Sequence, residues 1–315
     1  MPRNSSKRVA IVCGGPSPEA EVSRSSAAGV AEALRTTHSN VHMLELGPDI
    51  GAKLREVRAD VVFPVLHGPP GEDGSFQGML EILGIPYVGS GVLSSALAMN
   101  KPAARGAFAA NGISIAPGMI VPRDRNATEA VDQAISALGS RVVVKPEGQG
   151  SALGITLCRT RQELASALDQ AFQFGDQALV EQMIRGREIT VAILERNGVE
   201  ALPVIEIRTP KETWYDYEHR YTAGLSEHVI PAPLPPDVYE LVSDLGRRAH
   251  IALRCRDLSR VDLIVPDDEE PVVLEVNTLP GMTPTSLYPD AAAAAGIPFP
   301  ELVSYLVGRA LARQG

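Results

Sequence analysis

Cysteine is scarce in this chain. Its 315 residues include three, Cys13, Cys158 and Cys255, far apart and without C-x-x-C spacing. They indicate no disulfide framework and read as reduced, buried thiols of a cytoplasmic protein. A positive charge excess is also missing: 29 Lys and Arg face 38 Asp and Glu, a net charge of −9 without long blocks. That excludes a basic footprint for nucleic acid or an anionic membrane and leaves small molecules as the expected partners. Long apolar runs are absent too. Val9 to Cys13 stops at Gly14-Gly15, too short for a signal peptide or a membrane span, and no other segment reaches spanning length. Aromatic residues make up 4% of the chain, yet Trp214, Tyr215, Tyr217 and Tyr221 fall in one stretch.

What is present is enough apolar material, 44% of residues, to build several cores, and the length suggests two or three domains. Val9 to Cys13, the Gly-Gly turn and a helical pattern from Glu21 to Leu34 make an α/β start that lacks a dinucleotide fingerprint. Strands follow at Val41 to Leu46 and Val61 to Leu66 around a helix at Ile50 to Val57, so the first hundred residues read as a parallel αβ unit. His67 then opens H-G-P-P-G-E-D-G, a loop of turn formers, where a lone histidine also fits a satisfied structural imidazole. Helices are expected from Val92 to Asn100 and onward to Asn111, and a second αβ unit from Met119.

In that second unit Val142 to Pro146 is a buried strand carrying Lys145, and Glu147 to Gly154 is a glycine-rich turn. Three glycines there allow backbone N–H groups close to phosphate oxygens, although a plain hairpin turn looks similar. After a helix from Arg161 to Phe174, a strand from Ala178 to Ile184 leads to Gly186-Arg187-Glu188. Ile189 to Leu194 and Leu202 to Ile207 form a hairpin about Asn197-Gly198. The irregular stretch from Arg208 to Pro233, with its aromatic residues, reads as a docking lid, and a helix from Pro236 to Leu253 follows it.

The most specific chemistry lies between Arg260 and Leu287. Val261 to Val265 and Val272 to Val276 flank Asp267-Asp268-Glu269-Glu270 as two strands of a hairpin. Pairing Pro266 with Pro271 sets Asp262 opposite Glu275 and Arg260 opposite Asn277 on one face, with Val261, Leu263, Leu274 and Val276 on the other. Two carboxylates and an amide on one face suit a hard cation such as magnesium. Alternation alone equally fits the solvated face of an antiparallel hairpin.

Leu274 to Thr283, L-E-V-N-T-L-P-G-M-T, resembles the signature of the D-alanyl-D-alanine ligases, within the ATP-grasp superfamily, and the resemblance extends over nearly the whole chain. It implies a three-lobed α/β ATP-grasp fold: an N-terminal substrate lobe (1–101), a central nucleotide lobe (102–188) and a C-terminal lobe with the metal site and an ω-loop lid (189–315). It implies ligation of two D-alanines through a D-alanyl phosphate, for peptidoglycan precursors, in a homodimer. A carboxylate in P-S-P-E-A-E-V-S, assigned to Glu21, holds the first D-alanine's ammonium, and His67 stands beside that substrate. Lys101 of M-N-K, Lys145 and Gly150 contact phosphate. Ser151 joins Glu21 and Tyr221 in a hydrogen-bonded triad.

By the same resemblance Glu181, Met183, Ile184 and Glu188 serve adenine and ribose, with Trp214, Ile264 and Leu274 also at the nucleotide. Arg220 stands where the family has lysine, and Ala152 where it has serine. Arg260 and Gly281 are the oxyanion donors, and Ser286 and Leu287 hold the second substrate's carboxylate. Asp262, Glu275 and Asn277 carry magnesium, two ions being expected, with manganese as a substitute. Tyr221, where ester-forming relatives often carry histidine, implies a dipeptide product. Two rivals stay open: a ligase joining D-alanine to a different amino acid, and a non-catalytic ATP-binding regulator. The intact Asp262, Glu275, Asn277 and Lys145 set speaks against the regulator.

Overall fold

The structure is a computed structural model, and it describes residues 6–150, 152–209, 225–267 and 270–313. Three sheets and ten helices occur among those residues. The first sheet is parallel, with β1 (Arg8–Cys13) between β2 (Asn40–Glu45) and β3 (Val61–Pro64). Because side chains alternate along a strand, the continuous apolar run of β1 feeds two cores. Val9 and Ile11 face α1 (Ala20–Arg35), whereas Ala10 and Val12 face α2 (Ile50–Glu56) and α3 (Ser75–Leu83). The helix on the α1 side that completes the layer comes from the far end of the chain: α10 (Phe299–Ala312) supplies Leu302, Leu306 and Ala310 to the same core.

Helices α4 (Val92–Met99) and α5 (Lys101–Ala110) then cross to the second sheet, β4 (Gly118–Pro122), β7 (Gln177–Gln182), β5 (Val142–Pro146) and β6 (Thr156–Cys158), which is antiparallel throughout. One face is covered by α6 (Ala127–Leu138) and α7 (Arg161–Ala171). The α7 core positions Leu164, Ala167, Leu168 and Ala171 keep helical spacing, and Thr160 and Glu163 close a capping box at its start.

The third sheet is organised about β8 (Arg187–Glu195), with β12 (Leu258–Val265) on one edge and β9 (Val199–Ala201) and β10 (Ile205–Arg208) on the other. The second strand expected from Leu202 to Ile207 is therefore split. Pro203 has no N–H for the ladder, and pairing resumes at Ile205. A short β11 (Glu227–Val229), inside the stretch expected to be irregular, extends the edge beyond β10. Ile189, Val191 and Ile193 of β8 pack with Phe108 of α5 and with α8 (Pro236–Ala252), while Ala192 and Leu194 join the core that includes α10.

β12 pairs with β13 (Val272–Asn277) in the expected register from Arg260 opposite Asn277 to Asp262 opposite Glu275. Beyond that point one residue is skipped, and Leu263 pairs with Val273. The bulge corrects one expectation: Val273, not Leu274, joins Val276 in the core, and Leu274 is left half-buried. The chain continues through α9 (Leu287–Ala294) to α10. No single described helix is long and apolar enough to cross a membrane.

Candidate functional site

The three sheets converge on one open cleft. Among the predicted site residues it brings together His67, Lys101, Gly150, Arg260, Glu275, Asn277, Gly281, Ser286 and Leu287, together with Glu72. Each arrives by an ordinary local device.

Gly14 turns the chain out of β1 with φ +72°, a left-handed conformation that favours glycine. The turn is held as Gly14 N–H donates to Ser23 Oγ at 2.7 Å, and Ser23 in turn donates to the Val65 carbonyl. Glu19 follows at the N-cap of α1, 1% exposed. Glu21, assigned to the site from sequence, is placed elsewhere: its side chain is 88% exposed and pairs with Arg24. Two helical residues rotate a side chain by about 200°, so if Glu19 faces the cleft Glu21 faces water. Glu21 is a first-turn carboxylate on the favourable end of the helix dipole.

The loop from His67 to Gly74 folds on itself. Gly68 N–H donates to Glu72 Oε2 at 2.6 Å, and Gln77 Nε2 donates to the Gly71 carbonyl at 2.8 Å. Glu72 is buried, and loss of water pushes its carboxyl up to about 8, opposed by the Gly68 N–H and reinforced by Glu19. Burial holds the His67 imidazole below its usual value, against the pull of Glu19. His67 Nε2 is buried without a hydrogen-bond partner among the described residues. A water or a ligand group can supply the missing partner of such an atom.

The glycine-rich turn reaches the same place from the central sheet. A side-chain carbon on Gly150 would stand 3.8 Å from Glu72 Oε2 and 4.0 Å from Glu19 Oε2. The first residue of α5 is stitched to this turn: Lys101 N–H donates to the Glu147 carbonyl at 2.9 Å, Asn100 Nδ2 to Glu147 Oε1 at 2.6 Å, and Lys101 Nζ to the Gln149 carbonyl. Burial lowers the Lys101 ammonium, and Glu275 partly restores it. Lys145, nearly buried at the end of β5, pairs with Glu181 Oε2 at 2.6 Å.

Met183 and Ile184 occupy the connection from the second sheet to the third. There Gly186 lies so close to β12 that a side-chain carbon would be 2.4 Å from the Val265 carbonyl. Ile264, opposite Glu188 across the β12/β8 ladder, and the bulged Leu274 lie on the hairpin beside it.

On the hairpin, Arg260 Nε and Nη2 donate to Asp262 Oδ1 and Oδ2 at 2.8 and 2.7 Å, and Thr190 Oγ1 donates to Oδ1 at 2.6 Å. Asn277 Oδ1 accepts from Leu279 N–H at 2.9 Å. Asp262, Glu275 and Asn277 thus place oxygen atoms of the type that suits magnesium at neighbouring register positions, with both Asp262 oxygens bonded to Arg260 in this structure. Beyond the hairpin, Ser286 is the N-cap of α9, and its Oγ accepts from Thr283 N–H at 3.0 Å. Gly281 leaves room for that hydroxyl: a side-chain carbon would lie 2.9 Å from Ser286 Oγ. The opening turn of α9 presents backbone N–H groups suited to an anion.

Ser151, Trp214, Arg220 and Tyr221 lie outside the described residues. Sequence reading missed Thr190 and Arg105. Thr190 follows from β8 alternation, in phase with Ala192, but Arg105 carries no signal short of the packed structure.

Family models match the chain at residues 107–308, "D-ala D-ala ligase C-terminus", and at 45–90, "D-ala D-ala ligase N-terminus". The D-alanine–D-alanine ligase of Desulforamulus reducens is 44% identical over 309 residues, covering 96% of this chain and 98% of that protein. That of Methylobacterium radiotolerans is 46% identical over 311 residues, covering 96% and 97%. Among solved structures, D-alanyl-alanine synthetase A from Vibrio cholerae aligns with TM-score 0.86 at 30% identity, over 98% of this chain and 99% of that one. The Bacillus anthracis D-alanine–D-alanine ligase, complexed with ATP, aligns with TM-score 0.83 at 30% identity, over 98% of both chains.

Proposed function

The chain belongs to the D-alanine–D-alanine ligase family, and from that premise we propose that it joins two D-alanines to D-alanyl-D-alanine, cleaving ATP to ADP and phosphate, for peptidoglycan precursor synthesis. The observation that carries this reading is the meeting, in one cleft, of Glu275 and Asn277 from the hairpin with Lys101, Gly150, Arg260, Gly281 and Ser286. It supports a division of labour among lobes 1–101, 102–188 and 189–315, with ATP between the last two.

Glu19 takes the role that the resemblance gave to Glu21. As the buried carboxylate beside His67 it suits the ammonium of the first D-alanine. The first substrate's carboxylate oxygen attacks the γ-phosphorus and ADP leaves, giving an acyl phosphate. Two anions meet in that step, so positive charge is needed at the phosphates, and Lys101, Lys145 and Arg220 supply it. Asp262, Glu275 and Asn277 would hold magnesium, which when bound neutralises phosphate charge.

The free amine of the second D-alanine, its carboxylate held at Ser286 and Leu287, then attacks the carbonyl, and phosphate departs. Arg260 and the Gly281 N–H stabilise the oxyanion. Water would hydrolyse the acyl phosphate, and the 208–233 stretch is the device proposed to exclude it. The tyrosine at position 221, where the resemblance puts a dipeptide-forming residue, favours an amine over a hydroxyl as the second substrate. A cytoplasmic homodimer completes the reading.

Purified protein should release ADP and phosphate only with ATP, magnesium and D-alanine together. AMP and pyrophosphate as products would overturn the acyl-phosphate route. A depsipeptide as the main product from equal D-alanine and D-lactate would overturn the dipeptide assignment.

A further inference from the structure

Behind the cleft lies a buried cluster that the ligase reading does not use in full. Glu181, on β7, is 3% exposed, and both of its carboxylate oxygens are engaged. Oε2 pairs with Lys145 Nζ at 2.6 Å, and Oε1 pairs with Arg105 Nη1. Arg105 comes from α5, the helix that begins at Lys101, and its Nη2 donates to the Ala116 carbonyl at 2.8 Å. Its side chain is 14% exposed and it does not line the cleft. The guanidinium crosses over Gly118, where a side-chain carbon would stand 3.0 Å from Nη2 and 3.1 Å from Glu181 Cγ. Glycine at the start of β4 is what lets the ion pair close.

A buried carboxylate with a single counter-ion cannot release it without a large loss, because the remaining charge is left dry and unpaired. Lys145 must nevertheless turn towards phosphate if it is to serve ATP. From this geometry we infer that Arg105 is a positioning residue: it stays on Glu181 as a permanent counter-ion, so that Lys145 can exchange its own ion pair for a nucleotide phosphate. Arg105 acts through Glu181 on Lys145, and the inference rests on the reading of the cleft as an ATP site.

Replacing Arg105 with Met leaves Lys145 as the partner of both oxygens and should raise the KM for ATP by about tenfold or more, with kcat within about threefold and the KM for D-alanine unchanged. Arg105→Lys, which keeps the charge, should restore most of the affinity. In a Glu181→Gln background the Arg105→Met change should add nothing, since there is no carboxylate left to neutralise. Equal losses for ATP and D-alanine, a fall in kcat alone, or additive effects in the double variant would overturn the role.

An arm without nucleotide separates this role from the ligase reading. The drop in urea midpoint caused by Lys145→Met should be larger in the Arg105→Met background than in the wild type, because the second removal strips Glu181 of its last partner. Equal drops would overturn the shared-carboxylate arrangement even in an active ligase. A larger drop in a protein that fails to turn over ATP and D-alanine would leave the arrangement standing and sink the ligase reading, and with it the nucleotide role of Arg105.

Discussion

At the N-terminal end of the cleft carboxylates outnumber cations, and at its central end the ratio is reversed. Glu72 lies within reach of the Glu19 and Glu275 carboxylates and of the Arg260 guanidinium, which is paired with Asp262. Lys145 and Arg105 both pair with Glu181, and Lys101 lies within reach of Glu275, Glu181 and Glu72. Glu275 acts on both groups, raising the Glu72 carboxyl and the Lys101 ammonium alike. Under the proposed function an ammonium and a hard cation would meet the acidic end, and a chain of phosphates the basic one. The difference teaches that the two ends of the cleft differ in the sign of their ionisable groups, which shape alone does not set.

The comparison breaks most severely at its junction. Glu275→Gln keeps the side-chain shape but removes an anionic donor from the hairpin. Turnover should fall by roughly a hundredfold or more while the circular dichroism of the fold persists. A folded, nearly fully active variant would end the assignment of Glu275 to a cation. Next in size is Glu19→Gln, which should raise the KM for the first D-alanine by about tenfold with little change in the KM for ATP, as measured by initial rates.

A subtler change follows from Glu72. Its carboxyl is pushed from 4.5 to about 8 in the folded protein, so the native state holds an extra proton across that window. The stability contributed by that proton is fully present below the ordinary carboxyl value and is lost as pH rises to about 8. Glu72→Gln removes this slope. The wild-type urea midpoint minus that of the variant should therefore fall with rising pH through the window and be flat outside it. A constant difference would mean that Glu72 is not held protonated by burial.

The smallest effect sharpens the contrast between neighbours. Glu21→Ala, two positions from Glu19, should leave both KM values and the unfolding midpoint unchanged within error, because its exposed pair with Arg24 is screened by water. A loss resembling that of Glu19→Gln would return the site role to Glu21.

Much of this cleft was legible in the chain. The register that sets Asp262 against Glu275 followed from alternation and a short connection, and H-G-P-P-G-E-D-G and K-P-E-G-Q-G marked their loops through glycine and proline. Alternation could not reveal the residue skipped at Leu274, since a bulge preserves local composition while exchanging faces. Nor could it choose between Glu19 and Glu21. That choice depends on where α1 begins, and shifting the start by two residues turns the helix nearly half around.

By itself the sequence determined many of the strands and helices, which loops bend on glycine, and which hairpin carries the paired carboxylates. All of these are settled by periodicity and backbone conformation within a few residues. Only the tertiary structure decided that the last helix completes the first sheet, that Arg105 stands behind Lys145, and that Glu72 is buried enough to keep its proton. Those facts depend on groups tens to hundreds of positions apart meeting in a dry interior, where charge is costly and its partner is fixed by packing rather than by order along the chain.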